Sequence, residues 1–500
     1  MTRMPMCLVL CLCGAALALG PSRPTCADAA PREVTVDPMS RLEAARPFLG
    51  WGTSLAWWAN VVGGWGEERR AELLDLLFDT ERGLGLNVVR YNIGGGDQSD
   101  HLQFYRPGGA VPGFRPAPDA AYDWEADANQ RRVLLEGIAR GVTIVEAFSN
   151  SPPWWMTKSG SATGKGARGA AEPNLRDDMY GAFADYLTEV VRRYRDEHDV
   201  AFDALSPLNE PSADWWGFGG NQEGCHFGVA EQERLLHEVG AKVREKGLGT
   251  KIAAPEEFSV EWTLDTWRRY REETRALVGQ VSTHTYGGSA EARRELRELA
   301  DRAGKPISVS EYGSPGFHRD LGPGHWEYPS ALELARVITL DLNHLLPVTW
   351  VYWQAVEPSD WQHHWGLIHC SYTDEGRPWL IRKQYWAYKH FTRHLRPGSL
   401  VLPLPDTSPL LVAAALGPGR RSLVLVVTNP EPEERPLMVD LSGLDDLPAE
   451  ARWFVTTEGQ DYAAREAVPV RERTLTLAVP GRSISTLVLE PVATALIPPP

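Results

Sequence analysis

Between residues 46 and 395, short apolar or β-branched runs alternate with longer stretches whose apolar residues recur at helical spacing. Eight runs predict strands over Phe48–Ser54, Asn87–Ile93, Thr143–Phe148, Phe202–Leu208, Lys251–Ala254, Gln280–Tyr286, Pro306–Tyr312 and Val348–Gln354. Helices are predicted over Glu67–Phe78, Asn129–Arg140, Asp178–Arg195, Ala230–Lys246, Val260–Glu273, Ala290–Ala303, Ala331–Leu345 and Lys383–Leu395. Eight strands that alternate with eight helices predict an α/β chain with a (β/α)8 TIM barrel over residues 46–395. A doubly wound open sheet is the alternative.

After Arg396 the helical period disappears and the pattern changes to short strand-like runs separated by Pro, Gly and acidic turns. Seven runs predict strands at Leu400–Leu402, Leu410–Ala415, Leu423–Thr428, Leu437–Leu441, Arg452–Thr456, Thr474–Ala478 and Thr486–Leu489. Many short strands with no helices indicate a β-sandwich, here over residues 396–491. Glu33–Val36 alternates like a strand, so residues 31–45 are predicted to join this sandwich from the other end of the chain. Residues 492–500 are predicted to form a frayed tail.

The first thirty residues have the pattern of a secretory signal peptide. Arg3 provides a positive start, Leu8–Leu19 is an apolar run too short to span a bilayer, and small-residue cleavage sites follow. The alternative is a membrane anchor. Cleavage would give a secreted protein, extracellular or periplasmic, and no later run is long and apolar enough to span a membrane.

Charge and composition narrow the class of partner. With 51 basic and 66 acidic residues the net charge is −15, which argues against nucleic acid or an anionic membrane as partner. The 19 Trp residues suit sugar-stacking clefts as well as cores. A monomer without metal or organic cofactor is expected. Cys225 and Cys370 fall in loops that face each other across the barrel mouth, and a bond between them would cross the cleft, so both are predicted to be free thiols.

Chemically active side chains lie at the carboxyl ends of the predicted strands, where TIM barrels carry their active sites. They are Arg90 after the second strand, Asn209 and Glu210 after the fourth, His284 and Tyr286 at the sixth, Glu311 at the seventh and Trp353 at the eighth. Two carboxylates with an aromatic floor suit glycoside hydrolysis, in which one Glu protonates the leaving oxygen while the other attacks the anomeric carbon. Each residue alone has an ordinary structural explanation. Glu256 and Glu257 after the fifth strand are alternative candidates for the two catalytic carboxylates.

The loops at this end of the barrel are long and aromatic. Asp97 lies in the loop 94–128, Trp154 opens the loop 149–175, and Trp216 follows the fourth strand. Loops of this length in a compact domain are usually functional. Their aromatic side chains predict an extended cleft that binds a sugar polymer, although part of these Trp residues are expected to serve only packing within the loops.

Four segments carry a resemblance to a known family: Gly50–Ala59, Asn87–Gly95, Glu146–Met156 and Pro207–Pro211. They resemble glycoside hydrolase family 30, and within it the endo-β-1,6-galactanase branch. The resemblance covers residues 33 to 490 and implies a barrel with a side β-sandwich and a retaining hydrolysis of β-1,6-galactan in arabinogalactan side chains.

The same resemblance implies a role for each residue. Glu210 is the implied acid/base and Glu311 the implied nucleophile. Asn209 would bind the sugar 2-OH, and Arg90 and Tyr286 would hold the nucleophile ionised, which should lower the pKa of Glu311. The implied or expected contacts with substrate are made by Trp57, Arg90, Asn209, His284, Tyr286, Trp353, Trp154, Trp216 and Asp97.

The alternatives within the family are β-1,6-glucanase, xylanase and glucosylceramidase. A non-catalytic carbohydrate-binding protein on the same fold is the alternative of another class. Residue types alone do not distinguish an axial from an equatorial sugar hydroxyl, so the sugar rests on the resemblance.

Overall fold

The eight predicted apolar runs form the eight strands of a closed, fully parallel barrel, so the predicted fold class is confirmed. The computed structural model describes residues 33–314, 327–359 and 365–493. The strands are β1 Gly50–Ser54, β2 Val88–Asn92, β3 Ile144–Phe148, β4 Ala204–Ser206, β5 Lys251–Glu257, β6 Gln280–His284, β7 Ile307–Tyr312 and β8 Thr349–Tyr352. Thr349 of β8 pairs with Gly50 of β1, which closes the barrel and excludes the open sheet.

Amphipathic helices surround the barrel and bury one apolar face against it. The α-helices are Trp58–Val62, Glu67–Phe78, Ala128–Ile138, Tyr180–His198, Val229–Glu245, Val260–Arg269, Glu272–Leu277, Ala290–Ala303, Glu327–Leu340 and Lys383–Thr392. Helix Ala290–Ala303 shows how the sequence sets its ends: the Ser289 hydroxyl accepts the N–H of Ala292, and Gly304 ends the helix with φ 64°.

One predicted helix is divided in two. The segment from Val260 to Glu273 was expected to be continuous, but the first helix ends at Arg269 and a second one begins at Glu272. The carboxylate of Glu233, from the preceding helix, accepts the backbone N–H of Arg271 at 2.6 Å and so competes with the helical hydrogen bond. A single tertiary contact therefore overrides a continuous helical period.

Short 3-10 and π-helical segments lie between these elements. The 3-10 turns are Met39–Ala44, Leu102–Phe104, Trp154–Met156 and Pro418–Arg420, and a π-helix spans Asp341–Leu345. A small sheet of Val356–Pro358, Ile368–Cys370 and Leu380–Ile381 builds the loop after β8.

The C-terminal strands form a β-sandwich beside the barrel. Their bounds are Leu400–Leu402, Leu411–Leu416, Leu423–Asn429, Arg435–Asp440, Glu450–Thr457, Gln460–Arg471, Thr474–Val479 and Ser483–Leu489. The long strand Gln460–Arg471 pairs with Glu450–Thr457 in one layer and with Thr474–Val479 in the other. This strand was not predicted because most of its side chains are exposed and apolar alternation is confined to Val468 and Val470 at its end.

Both ends of the described chain contribute to the sandwich. Val34–Val36 pairs in parallel with Arg435–Asp440, and Arg46–Pro47 pairs with Leu400–Leu402, so two residues that were assigned to the barrel belong to a sandwich sheet. Val492 packs in the sandwich core, which places it within the ordered domain rather than in the predicted frayed tail. The predicted signal peptide and residues 494–500 lie outside the described residues.

The sheet next to the barrel is buried on both faces. In strand Leu411–Leu416, Val412 and Ala414 join the sandwich core, whereas Ala413 and Ala415 join the core of the barrel domain. Because side chains alternate between the two faces of a strand, one continuous apolar run serves both cores. Among the helices that the structure describes, none has the length and apolar character needed to cross a lipid bilayer.

Candidate active site

Two glutamates from strands that are three apart in the barrel meet at the carboxyl ends of the strands. Glu210 follows β4 and Glu311 is the last residue but one of β7. An oxygen of the Glu210 carboxyl lies within 4.8 Å of an oxygen of the Glu311 carboxyl. Both residues are more than nine-tenths buried, and both line the same cleft. Such a pair can act on one bond from two sides.

Hydrogen bonds from Arg90 on β2 and from Tyr286 after β6 orient the Glu311 carboxylate. Arg90 Nη1 donates to Glu311 Oε2 at 2.5 Å, and the Tyr286 hydroxyl donates to Oε1 at 3.0 Å. Arg90 Nη2 donates to Asn209 Oδ1 at 2.8 Å, which leaves the amide nitrogen of Asn209 to face the cleft. Glu311 is thus held at both oxygens.

Burial raises the pKa of the Glu311 carboxyl, while the positive charges of His284 and Arg90 act in the opposite direction. Arg90 lowers this pKa, as expected, but the net shift is upward because withdrawing the carboxylate from water outweighs the two cations. Tyr286 is partly buried beside Glu311 and Glu210, and this loss of contact with water and the two nearby carboxylates raise its own pKa well above the usual value, so it remains a proton donor.

His284 lies beneath the two carboxylates and contacts both. Its Nδ1 is 3.0 Å from Glu210 Oε1 and 3.6 Å from Glu311 Oε1, and its Nε2 is 3.2 Å from Glu256 Oε2. Burial by itself would lower the pKa of His284, but the surrounding carboxylates, Glu311 first, raise it to about 10. At neutral pH the ring is therefore an imidazolium, with one N–H facing Glu210 and the other facing Glu256.

Glu256, at the end of β5, lies on the far side of His284 from the cleft. Burial would raise its pKa, but Arg90, His284 and the Ser310 hydroxyl stabilise the anion and lower the pKa to about 2. Glu210, His284 and Glu311 also place three potential metal-ligating atoms within 4.8 Å of one another. Since Arg90 and the imidazolium already supply two positive charges there, the arrangement fits a carboxylate pair held by cations rather than a metal centre.

The cleft above the glutamates has a volume of about 630 Å³. Aromatic side chains form much of its wall, namely Trp57, Trp215, Trp216, Phe218, Phe258, Tyr286, Trp353 and Trp365. The rings of Trp57 and Trp353 meet edge to face, with centroids 5.0 Å apart, beside the carboxylates. Flat apolar walls around polar groups suit the alternating apolar faces and hydroxyls of a sugar.

Comparison with known proteins gives this geometry its context. The sequence matches the model of O-glycosyl hydrolase family 30 over residues 33–286. It is also 30% identical over 418 residues to an endo-β-1,6-galactanase of Hypocrea rufa, an alignment that covers 79% of this chain and 81% of that protein. The chain belongs to glycoside hydrolase family 30. This family 30 enzyme is accordingly a glycosidase, with a carbohydrate as its substrate.

A second relative of the family 30 enzyme is an exo-β-1,6-galactobiohydrolase of Bifidobacterium longum, 23% identical over 605 aligned positions. The match covers 89% of this chain but 39% of that protein. Among solved structures, the catalytic domain of family 30 xylanase C from Talaromyces cellulolyticus superposes with a TM-score of 0.67 at 18% identity, covering 92% of this chain and all of that chain. That likeness supports the shared barrel and side sandwich.

Five of the residues proposed from the sequence to bind substrate line the cleft of the glycosidase. These are Trp57, Asn209, Trp216, Tyr286 and Trp353. Arg90 lies below them, 1% exposed, and reaches the cleft through Glu311 and Asn209. Its expected role of holding the nucleophile agrees with these contacts, whereas a direct contact with sugar does not.

Three other expected sugar contacts are corrected by the structure. His284 has no exposed surface, so it acts through Glu210 and Glu311. The carboxylate of Asp97 is buried beneath the loops, where Tyr105 and Ser161 donate to it at 2.6 and 2.7 Å, and so it ties two loops together. Trp154 is half-buried against the barrel core and does not line the cleft.

Sequence reasoning missed an ion pair that supports the aromatic floor. The guanidinium of Arg106, from the loop after β2, lies 4.3 Å over the Trp57 ring and donates to Glu357 at 2.8 Å. Burial raises the pKa of Glu357 to about 7, and Arg106 opposes that rise. Arg106 and Glu357 are 251 positions apart in two different loops, so no local pattern signals their pairing.

Proposed function

We propose that this family 30 glycosidase is a secreted, retaining endo-β-1,6-galactanase that cuts the galactan side chains of arabinogalactan. The single observation that carries the proposal is the 30% identity to an endo-β-1,6-galactanase over most of both chains. The β-1,6-galactan linkage also occurs in the name of the second relative, the exo-β-1,6-galactobiohydrolase. The apolar run near the N-terminus supports export to where such a polymer is found.

Retention of the anomeric configuration is supported by the short separation of the carboxylates. Direct attack needs carboxyl groups about 5–5.5 Å apart, whereas inversion needs room for a water molecule and a separation of about 6.5–9.5 Å. The oxygens of Glu210 and Glu311 that lie within 4.8 Å fit the first arrangement. The pair therefore favours double displacement.

The chemistry then follows in two balanced steps. The Glu311 carboxylate attacks the anomeric carbon while the bond to the leaving oxygen breaks and Glu210 gives that oxygen its proton. Glu210, now ionised, takes a proton from water as the water oxygen attacks the same carbon, and Glu311 leaves as carboxylate. Asn209 would hydrogen-bond the sugar 2-OH through its amide nitrogen.

The aromatic wall supports cleavage within a chain. Trp215 contacts Phe258 with ring centroids 4.9 Å apart, and Phe258 contacts Trp262 at 5.3 Å, so flat surfaces run from the cleft towards the rim. A row of this kind provides stacking positions for several consecutive sugar units. An enzyme that only removed terminal units would gain little from it.

The test is a side-by-side digestion of de-arabinosylated arabinogalactan, intact arabinogalactan, β-1,6-glucan and glucuronoxylan, with products sized by chromatography and the Glu311→Ala variant as blank. We expect short β-1,6-galacto-oligosaccharides from the de-arabinosylated polymer and slower release from the intact one, because arabinose branches collide with the loop walls. Cleavage of the glucan or the xylan without cleavage of the galactan would refute the proposed galactanase activity. Release of single galactose or of galactobiose alone would refute endo action and favour an exo enzyme.

A further inference from the structure

Glu256 is a buried carboxylate that contacts both cations of the site, Arg90 and His284, without reaching the cleft. Its Oε2 accepts hydrogen bonds from the Ser310 hydroxyl at 2.7 Å, His284 Nε2 at 3.2 Å and Arg90 Nη2 at 3.3 Å. Its backbone carbonyl accepts the N–H of Glu210 at 2.8 Å. The residue is 1% exposed, so a sugar in the cleft cannot touch it.

The backbone at Glu256 is held in an unusual conformation. Its φ of 63° lies in the left-handed region, which a Glu residue seldom adopts, and Glu210 beside it has φ 47°. Residues are kept in such conformations only where the surroundings determine them strongly, and they concentrate at functional sites. The contact between the two backbones therefore links the position of Glu256 to that of the proposed acid/base.

The charges in this cluster balance in a protonation state that the proposed reaction uses. The titratable and charged groups that face His284 and Glu256 from the packed elements are Arg90, Glu146, Glu210, Glu311 and Tyr286. Burial, with a contribution from the charge of Glu256, raises the pKa of Glu146 to about 7, and Tyr286 keeps its proton. When Glu146 is protonated as well, the cations Arg90 and His284 offset the anions Glu256 and Glu311 if Glu210 carries its proton. This is the state that the first step of the proposed reaction requires.

We propose that Glu256 is a positioning residue that keeps His284 as an imidazolium, so that His284 donates to Oε1 of Glu210 and directs the acid proton to Oε2, the oxygen that His284 does not contact. A neutral ring that donates to Glu256 would instead present the Nδ1 lone pair to Glu210. That lone pair would compete with the leaving oxygen for the acid proton. The high pKa of His284, about 10, agrees with a ring that stays charged over the working range of the enzyme.

The inference rests on the proposed roles of Glu210 and Glu311, and Glu256→Gln tests it. The amide is nearly the same size and its oxygen can still accept from Ser310, His284 and Arg90, but the charge is lost. Removing one close opposite charge moves a titration by about one to three pH units. We expect the pKa of His284 to fall by that amount. The value of kcat should fall with KM nearly unchanged, and the alkaline limb of the kcat/KM profile should move to lower pH.

Two further variants separate charge from packing. Glu257→Gln is the matched control, because Glu257 is the next residue, is equally buried and is hydrogen-bonded to Ser212 and Thr266 instead of the site. It should leave the pH profile unchanged. Glu256→Asp retains the charge and should retain the position of the alkaline limb even if kcat drops. Equal pH profiles for Glu256→Gln and the wild type would overturn the inference.

Nitrogen-15 NMR of histidine-labelled full-length enzyme gives a readout without substrate. The His284 signal is assigned by its loss in His284→Gln, and in the wild type at neutral pH both ring nitrogens should be protonated. A neutral His284 there would overturn the inference, even if Glu256→Gln does not fold. If no galactan is cleaved but the ring is charged, the substrate proposal fails while the assignment of Glu256 stands.

Discussion

At the scale of single residues, Glu210 and Glu311 have the same side chain but different surroundings. Glu311 is held at both oxygens by Arg90 and Tyr286, whereas Glu210 lines the cleft and receives one hydrogen bond, from His284 to Oε1. A fixed carboxylate suits attack, and a carboxyl with one unbound oxygen suits proton transfer. The structure thus gives two identical residues two different capabilities.

This difference predicts distinct effects for the two alanine variants. Glu311→Ala should lower kcat by on the order of 10⁴-fold or more, since nothing replaces the nucleophile. Glu210→Ala should lower kcat on polymer by about 10²- to 10⁴-fold, the usual contribution of a general acid. An aryl glycoside with a good leaving group should still undergo the first step with Glu210→Ala.

Product stereochemistry checks the same assignment. Azide added to Glu311→Ala should yield a glycosyl azide of inverted configuration, measured by proton NMR, because the small anion enters the space of the missing carboxylate. A retained product from Glu311→Ala, or full activity of this variant, would show that the nucleophile lies elsewhere.

The two described cysteines lead to another prediction at this scale. Cys225 and Cys370 are free and buried, and burial raises the pKa of each thiol to about 12. Thiolate is the reactive form, so both should resist alkylation in the native enzyme and react fully after denaturation. Peptide mapping by mass spectrometry measures this. A Cys225–Cys370 peptide pair that separates on reduction would contradict it.

At the scale of elements, helix Val260–Arg269 presents Trp262 beside the cleft as a candidate distal stacking surface. The side chain is 42% exposed and extends the row formed by Trp215 and Phe258. A sugar that covers roughly 50 Å² of this ring would gain about 1 kcal/mol. Trp262→Ala should therefore raise KM for long β-1,6-galactan about fivefold and leave KM for short oligosaccharides unchanged.

Leu49→Ala provides the matched control for this measurement. Leu49 is 46% exposed and precedes β1, at the opposite end of the barrel from the cleft. Its loss removes exposed apolar surface without touching the proposed path of the chain. If both variants, or neither, change KM for the polymer, Trp262 does not contact substrate.

At the scale of the whole molecule, helix Lys383–Thr392 joins the barrel to the sandwich through a buried histidine. His390 lies 2.7 Å from the Thr486 hydroxyl and 2.8 Å from the Thr456 hydroxyl, both on sandwich strands. Burial, with a smaller contribution from His394, lowers the pKa of His390 to about 3. The folded protein therefore holds this ring neutral at pH values where the unfolded chain protonates it.

The sign of the resulting pH dependence is fixed by linkage. Between about pH 6.5 and pH 3 the unfolded chain binds the extra proton, so stability falls as pH falls, by up to about 1.4 kcal/mol per pH unit from this group. We expect Tm of the wild type to drop through this range and His390→Gln to show a shallower drop, measured by scanning calorimetry. If Tm falls equally with pH in the two proteins, His390 does not contribute to the pH dependence of stability.

The barrel was predictable because its signals are local. Strand and helix periods, and the position of Glu210 and Glu311 at strand ends, are visible in any window of a dozen residues. Two features were not predictable from local signals. The strand Gln460–Arg471 depends on pairing with neighbouring strands, and the division of the helix after Arg269 depends on the carboxylate of Glu233.

By itself, the sequence determined the fold class, the family, and which side chains point towards the cleft end of the barrel, because periodicity and strand-end position are properties of consecutive residues. Only the tertiary structure decided which of those side chains contact one another and which of them are charged. Glu256, His284 and Arg90 come from three strands, and their charge states follow from distances of 3.2 and 3.3 Å that no spacing in the chain encodes. The side chains of Asp97 and His284, expected to meet the sugar, are instead buried supports, because burial and hydrogen-bond partners are set by packing between segments distant in the chain.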